Sequence, residues 1–126
     1  MRFVIDSSVF LAAVNEEPGG DALTGYVADA VIPVTTVTEV ITRLTDAEMP
    51  FDEAEQLMSD FRLPTVDVTL ALAKRAAELR PATRTHGLSM GDRICLALAE
   101  SLGATAVTAD RQWAKVKLGI PMELVR

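Results

Sequence analysis

The chain has 126 residues, a formal net charge of −6 and 49% hydrophobic residues, a composition typical of one folded domain with its own core. Its single cysteine, Cys95, excludes a disulfide framework within the chain and a zinc site built on several thiolates. The acidic balance argues against a protein that grips nucleic acid by charge over its whole surface. Whether the acids are spread over that surface or gathered in one place decides which functions stay open.

The sequence shows no targeting or membrane segment. Its first apolar run, Phe3–Ile5, stops at Asp6, whereas a signal peptide needs an apolar stretch of roughly 7–15 residues and a membrane span needs about 20. No other run comes close to either length. We therefore expect no membrane span and a cytoplasmic location.

The first half of the chain alternates short apolar runs with helical patterns. Phe3–Ile5 predicts a strand buried on both faces, and a helix over residues 9–14 follows it. Residues 31–34 predict a second strand, in which Pro33 favours an early ending. A hairpin of two helices over residues 36–61 follows, because apolar residues recur at helical spacing. These residues are Val37, Val40, Ile41 and Leu44 in the first helix and Ala54, Leu57, Met58 and Phe61 in the second.

The second half continues the alternation with longer helices. Residues 63–66 predict a weak strand at a sheet edge, and an Ala/Leu-rich helix runs from about residue 67 to 79, before Pro81. A further apolar helix begins near Gly91 and ends at Gly103. The remaining predicted elements are a strand over 105–108, a helix over 111–117 and a short strand over 122–125.

Strands that alternate with helices predict an α/β fold, a parallel sheet with helices on both faces. In such sheets, ligands bind outside the carboxyl ends of the strands, where the strand order reverses. The seven glycines form neither a dinucleotide-binding nor a P-loop spacing, which excludes the usual nucleotide cradles. The residues that follow each strand are therefore the ones to inspect.

Four acidic residues stand where predicted strands end or where the next helices begin. They are Asp6, Glu39, Asp92 and Asp110. Each also has an ordinary structural explanation, because acids at helix starts accept hydrogen bonds from free backbone N–H groups. Asp6 and Asp110 fit N-caps, and Asp92 fits a capping box with Ser89. Glu39 fits a second capping box with Thr36, or an ion pair with Arg43 one turn later.

A parallel sheet would bring all four acids to the same edge. Four carboxylates in one cleft repel each other unless a cation neutralises them. Hard oxygen ligands suit Mg²⁺ or Mn²⁺, which use one or two direct carboxylates and leave the other acids to hold coordinated water. Such a metal can generate hydroxide and stabilise the leaving oxygen of a phosphodiester. The pattern therefore predicts a metal site that hydrolyses phosphodiester bonds.

Other polar residues stand beside these acids. Ser7, Ser8 and Thr108 supply hydroxyls at the same predicted edge, where they orient ligands or cap helices. Arg93 and Arg111 each follow a site acid directly. We predict Ser7, Arg93 and Arg111 as substrate-binding residues, the arginines through phosphate groups, although a solvated cation beside carboxylates is the alternative for both.

The set of motifs closely resembles PIN-domain proteins of the VapC toxin family. The segments that carry the resemblance are VIDSS at 4–8, TEV at 38–40, GLSMGDR at 87–93 and TADR at 108–111. Each motif is weak alone, but their order and spacing cover essentially the whole chain. The resemblance implies a three-layer PIN fold over residues 1–126, with a parallel four- to five-stranded sheet flanked by helices. It also implies a Mg²⁺- or Mn²⁺-dependent endoribonuclease that acts as a toxin.

The resemblance also assigns residues and partners. The family's acidic quartet carries over onto Asp6, Glu39, Asp92 and Asp110, as catalytic and metal-binding residues, and its hydroxyl position onto Thr108. The implied partners are an RNA substrate and a VapB-type antitoxin, in a homodimer or a toxin–antitoxin hetero-oligomer. The hairpin is the predicted partner surface, since it carries more apolar side chains than its own packing needs, and packing onto the domain's own sheet is the alternative for each of them. These side chains are Met49, Phe51, Leu57, Met58 and Phe61.

Three other functions share parts of this pattern. A phosphoryl-accepting receiver domain needs adjacent acids after the first strand and a lysine after the last, and Asp6-Ser7-Ser8 and Pro121-Met122 supply neither. A phosphatase of the haloacid-dehalogenase type needs Asp-x-Asp at the first strand, where Ser8 takes the second position. An inactive PIN-like module that only binds protein or RNA stays open, and the intact quartet argues against it.

Overall fold

The computed structural model describes residues 2–126. Its five strands form one parallel sheet in the order β3-β2-β1-β4-β5. The strands are β1 (Phe3–Ile5), β2 (Ala30–Pro33), β3 (Thr65–Val66), β4 (Thr105–Thr108) and β5 (Met122–Leu124). The predicted α/β fold with four or five parallel strands is confirmed, including the weak strand at an edge.

Helices cover both faces of the sheet. They are α1 (Ser7–Val14), α2 (Val34–Asp46), α3 (Phe51–Asp60), α4 (Leu70–Glu78), α5 (Arg80–Thr83) and α6 (Met90–Leu102). Short 3₁₀ turns join them, at Gly20–Gly25, Val27–Asp29, Arg84–His86 and Arg111–Lys115. Within residues 2–126, none of these helices has the length and apolar character needed to span a bilayer.

Neighbouring strand residues face opposite sides of the sheet and so build two cores. On one side, Val4 of β1 packs in a cluster with the buried residues of α4 and α6. On the other side, the next residue, Ile5, packs with apolar residues of α1, α2 and α3. The sheet is therefore the middle of three layers. Cys95 and Trp113 are both buried in the α4–α6 layer, as small and large core residues respectively.

Several predicted helix boundaries differ from those of the structure. The helix predicted from residue 67 begins at Leu70, because the Thr69 hydroxyl caps it by accepting a hydrogen bond from the Leu72 N–H at 3.2 Å. The segment predicted as a helix over 111–117 is a 3₁₀ turn that stops at Lys115. The Thr69 cap sets the start of α4, which periodicity alone does not reveal.

The order of the strands locates a crevice. β1 is central, with β2 on one side and β4 on the other, so the chain builds outward from β1 in both directions. The helix α1 after β1 and the 3₁₀ turn after β4 pack on opposite faces of the sheet, which opens a gap at the carboxyl ends of these two strands. Asp6 lies at the end of β1 and Thr108 at the end of β4.

Candidate active site

Asp6 lies at the bottom of this crevice, 2% exposed, where β1 passes into α1. Its Oδ2 accepts hydrogen bonds from the Ser8 hydroxyl at 2.6 Å, the Thr108 hydroxyl at 3.0 Å and the Ser8 N–H at 3.4 Å. Since all three bonds go to Oδ2, the Oδ1 atom keeps its lone pairs for another ligand. Burial, and then the charge of Asp92, raise the pKa of Asp6 to about 6.

Backbone N–H groups hold both hydroxyls in this orientation. The Ala109 N–H donates to the Ser8 hydroxyl at 2.9 Å, and the Asp110 N–H donates to the Thr108 hydroxyl at 3.0 Å. Each hydroxyl therefore accepts one bond and is left to donate its own hydrogen to Asp6. This network ties the turn after β4 to the end of β1. Thr108 is itself buried, so it acts through Asp6.

Glu39 lies deeper in its helix than the sequence predicts. The predicted capping box with Thr36 is wrong, because β2 passes directly into α2 and Pro33 is the N-cap residue. Thr36 is thus the third helical residue and is buried, and Glu39 lies in the second turn. Unlike the other three acids, Glu39 therefore does not cap a helix.

The Glu39 carboxylate has an uncompensated environment. Its Oε1 is buried without a hydrogen-bond partner. Burial, followed by the charges of Asp6 and Asp92, raises its pKa to about 7, while the Arg43 charge opposes this. The predicted ion pair with Arg43 is not formed among the described residues, because no guanidinium nitrogen of Arg43 lies within 4.0 Å of a Glu39 carboxylate oxygen. A buried carboxylate oxygen without a hydrogen-bond donor is unfavourable, so a cation or a donor from outside the chain would stabilise it by binding there.

Asp92 and Asp110 are helix caps as the sequence predicts. Asp92 accepts from the Ser89 N–H at 2.8 Å, and the Ser89 hydroxyl accepts from the Asp92 N–H at 3.2 Å. Burial raises the pKa of Asp92, and the charge of Asp110 adds to the rise, against the opposing Ser89 bonds. Asp110 caps the next turn by accepting from the Gln112 N–H at 2.9 Å. Capping and membership of the cleft are therefore compatible.

All four predicted acids line one cleft of about 370 Å³. We call it the acidic cleft. Its lining residues are Asp6, Ser7, Ser8, Leu11, Glu17, Glu39, Arg43, Ser89, Asp92, Asp110 and Arg126. Sequence reasoning missed Glu17 and Arg126, which reach the cleft from distant loops and join each other at 3.2 Å. Glu17 lies in the loop after α1, far from any strand end, whereas Arg126 follows the carboxyl end of β5 by two residues, as Asp110 follows β4.

The two predicted substrate arginines differ in position. Arg111 is exposed and lines a pocket of about 550 Å³ that adjoins the acidic cleft and shares Ser8, Asp110 and Arg126 with it. Arg93 instead donates to the Ala76 carbonyl at 2.9 Å and is not part of the cleft lining. The structure therefore brings Arg111, and not Arg93, to the site.

The donor set of the cleft fits a hard divalent cation. Over residues 2–126, no three His, Cys, Asp or Glu side chains already stand together as a metal-binding group. Mg²⁺ does not need such a cage, because it binds through one or two carboxylates and keeps several waters. The free Oδ1 of Asp6 and the unpartnered Oε1 of Glu39 are oxygen donors of this kind. Burial and neighbouring acids raise the pKa values of Asp6, Glu39 and Asp92, and a cation bound here would oppose both effects.

The fold and the cleft define an α/β domain with a carboxylate-lined crevice at the switch point of a parallel sheet. The model of the PIN-domain family matches residues 3–118. The chain therefore belongs to the PIN-domain family. No curated protein gives a significant match.

Solved structures share this fold at low sequence identity. A chain from VapBC2 of Rickettsia felis, bound to a DNA fragment from its promoter, aligns with a TM-score of 0.76 at 16% identity, with 98% of each chain covered. DNA-bound VapBC from Salmonella typhimurium gives a TM-score of 0.74 at 19% identity, covering 100% of this chain and 99% of that one. VapBC-5 from Mycobacterium tuberculosis gives 0.60 at 19%, covering 99% and 98%. At these identities the likeness concerns the fold.

Proposed function

We propose that this protein is a Mg²⁺- or Mn²⁺-dependent endoribonuclease and the toxin of a VapBC-type toxin–antitoxin system. In this proposal residues 1–126 form a single PIN domain that acts in the cytoplasm. The observation that carries it is the convergence of Asp6, Glu39, Asp92 and Asp110 around one cleft in which the buried Oε1 of Glu39 has no hydrogen-bond partner. Membership of the PIN-domain family supports the same reading.

The four acids are the proposed metal-binding residues, and the hydroxyls support them. When bound, the metal supplies a nucleophilic hydroxide and stabilises charge on the phosphodiester. Ser8 and Thr108 hold Asp6 in one orientation, so that its free Oδ1 faces a ligand without rearrangement. With a pKa of about 7, the Glu39 carboxyl is partly protonated at neutral pH, and a nearby cation would favour its ionised form.

The rim of the cleft supplies the proposed substrate contacts. Arg111, beside Asp110, offers a cation to an RNA phosphate next to the cleaved bond. Ser7 lines the cleft and offers a hydroxyl. Arg93 remains a weaker proposal, because its guanidinium is already bonded to the Ala76 carbonyl. The net charge of −6 leads us to expect modest RNA affinity without the metal.

An apolar groove on the hairpin is the proposed docking site for a VapB-type antitoxin. This hairpin groove, of about 400 Å³, is lined by Ile32, Val37, Ile41, Glu55, Met58, Ser59, Arg62, Leu63 and Thr65. An apolar floor with charged groups at the rim suits an amphipathic helix. Of the apolar residues predicted as partner contacts, Met58 is buried and Phe61 packs on Phe10 at 5.1 Å, whereas Phe51 is 56% exposed. The proposed assembly is a toxin–antitoxin hetero-oligomer or a homodimer.

RNA cleavage by the purified protein tests the nuclease. We expect cleavage of RNA with Mg²⁺ or Mn²⁺, none with EDTA, and loss with Asp6→Asn or Asp92→Asn. The matched control is Asp67→Asn, which removes the same charge from an exposed loop residue outside the cleft. Cleavage that survives EDTA and both cleft substitutions would overturn the metal-dependent mechanism, and inactivity of the wild type with either metal would favour a binding module.

Expression in bacteria tests the toxin role. We expect induced wild-type protein to arrest growth and the Asp6→Asn variant to be tolerated at the same protein level. Co-expression of the small protein encoded by an adjacent gene is expected to restore growth and to co-purify with the toxin. A nuclease that cleaves RNA in vitro but has no such neighbour would be a solitary PIN ribonuclease, and the toxin–antitoxin part of the proposal would fail.

A further inference from the structure

Gly91 has no room for a side chain while Glu39 keeps its position. Gly91 is the second residue of α6, directly before Asp92. A Cβ atom there would lie 2.5 Å from Glu39 Oε2, 2.6 Å from Cδ and 2.7 Å from Oε1. Non-bonded heavy atoms do not approach so closely, so the carboxylate fills the space that a side chain at position 91 would occupy.

Backbone conformation does not explain this glycine. Gly91 lies within α6 and does not belong to the glycines with a positive φ. In an ordinary helical conformation, glycine is less favourable than alanine. Glycine at this position therefore lowers the stability of the helix. An alanine side chain would occupy the space in which the Glu39 carboxylate lies.

A substitution at position 91 would move the carboxylate and leave the backbone in place. The atoms in the way are the far end of a flexible side chain, which reaches new rotamers at low cost. Gly20 provides the contrast, because a Cβ there would meet the backbone of Ala12 and Ala13. Gly25 provides a neutral case, since a Cβ there meets nothing within 4 Å.

We propose that Gly91 is a positioning residue of the metal site, which sets where the Glu39 carboxylate of α2 lies relative to Asp92 of α6. The inference rests on the proposed function. Because Gly91 has no side chain, the Glu39 carboxylate of α2 can lie against the first turn of α6, next to Asp92. The buried Oε1 accepts no hydrogen bond from the protein, so no such bond stabilises the carboxylate in this position. A ligand from outside the chain, such as a cation, can bind the free carboxylate oxygen.

Metal binding tests the inference independently of catalysis. Isothermal titration of the purified full chain with Mn²⁺ would compare the wild type, Gly91→Ala and the matched control Gly25→Ala. We expect Gly91→Ala to weaken Mn²⁺ binding about tenfold, the scale of outer-shell changes at metal sites. The thermal midpoint of metal-free Gly91→Ala is expected to be equal to or above that of the wild type, because alanine favours the helix. Gly25→Ala is expected to bind as the wild type does.

A shortened acid separates positioning from a general effect on α6. Glu39→Asp withdraws the carboxylate by one methylene and frees space beside position 91. We expect Gly91→Ala to weaken Mn²⁺ binding clearly less in the Glu39→Asp background than in the wild-type background, by at most about twofold. A purely structural effect on α6 would give the same factor in both backgrounds.

The outcomes distinguish this inference from the proposal beneath it. A wild type that binds neither Mn²⁺ nor Mg²⁺ overturns the proposed function and the inference together. A wild type that binds Mn²⁺ while Gly91→Ala binds equally well overturns the inference alone. The inference also fails if the loss is the same in the Glu39→Asp background, or if Gly91→Ala unfolds at a clearly lower temperature.

Discussion

The acidic cleft and the hairpin groove have similar volumes, about 370 and 400 Å³, and opposite chemistry. Both border the same helix. On α2, Glu39 and Arg43 face the cleft, whereas Val37 and Ile41 face the groove. The third face of the helix carries the buried residues Thr36, Val40 and Leu44, and the last two belong to the core cluster that includes Ile5 and Ile32 of the sheet.

This division of one helix teaches how a small domain separates two tasks. Residues four apart lie on one face, so pairs at i and i+4 serve one surface each. A substitution on one face therefore leaves the side chains of the other face in place. The cleft is expected to fail in catalysis without losing partner binding, and the groove is expected to behave in the opposite way. The predictions below test that separation, in order of decreasing expected effect.

The largest effect is expected from Glu39→Gln. It keeps the size of the side chain and removes the charge proposed to bind metal, so we expect RNA cleavage to fall a hundredfold or more. Co-purification with the antitoxin should stay at the wild-type level, since Val37 and Ile41 are unchanged. Single-turnover cleavage with Mn²⁺ and a pull-down measure the two properties. Loss of both together would contradict the separation.

The second effect concerns the pH dependence of stability in the metal-free protein. The pKa values of Asp6 and Glu39 are raised from 3.8 and 4.5 to about 6 and about 7, so the folded state binds protons more tightly than the unfolded state. Stability should therefore be higher at acid pH and fall as the pH rises from about 4 to 7, by roughly 3 kcal/mol for Asp6 alone.

Urea unfolding in EDTA at several pH values measures this dependence. Asp6→Asn removes one of the groups that titrate and is expected to make the fall in stability smaller, with the part due to Glu39 remaining. Saturating Mn²⁺ should reduce this fall as well, because a bound cation favours the ionised acids. Groove variants should leave it unchanged. A stability that rises with pH over this range in the wild type would contradict the burial of uncompensated charge in the cleft.

A smaller effect is expected from Ser8→Ala. The Ser8 hydroxyl donates to Asp6 at 2.6 Å and accepts from the Ala109 N–H at 2.9 Å, so its loss leaves two groups short of a partner. We expect the free energy of unfolding to fall by about 2 kcal/mol and cleavage to fall about tenfold. Ser101→Ala is the control, because that hydroxyl donates only to the Leu98 carbonyl. Equal losses in both variants would remove the special role of the network.

The smallest effect is expected from Ile41→Lys on the groove side of α2. Ile41 is half-buried, so a lysine keeps its stem against the apolar surface and places its charge in the groove. We expect antitoxin affinity to fall about tenfold, or roughly 1.4 kcal/mol, with RNA cleavage unchanged. Leu102→Lys, at an exposed apolar position at the end of α6, is the control. Unchanged affinity in Ile41→Lys would move the docking site elsewhere.

Most of the fold could be predicted from local patterns. Apolar runs marked the buried strands, and helical spacing on both sides of Pro50 marked α2 and α3. The errors fell at helix ends. The start of α4 depends on a Thr69 cap, and the start of α2 depends on a direct passage from Pro33 into the helix. Capping competes with periodicity at such positions, and periodicity does not register it.

The candidate site was predicted less evenly. Acids at strand ends could be found, because a parallel sheet brings the carboxyl ends of its strands to one edge. Glu17 could not, because it lies in the loop after α1 and its approach to the cleft depends on the tertiary fold. Arg126 could have been found by the same argument as the acids, because it follows the strand predicted over 122–125. Arg93 stood beside Asp92 in sequence, yet the turn of the helix directs it towards Ala76 of α4.

The sequence by itself determined the layered α/β fold and the gathering of four acids, because both follow from short-range patterns and from the geometry of parallel strands. Only the tertiary structure decided what each acid does. Asp6, Asp92 and Asp110 are satisfied as caps, whereas Glu39 is buried without a partner. The reason is the close packing of α2 against α6 at Gly91, a contact between segments about fifty residues apart. Local sequence patterns do not predict a contact between segments so far apart in the chain.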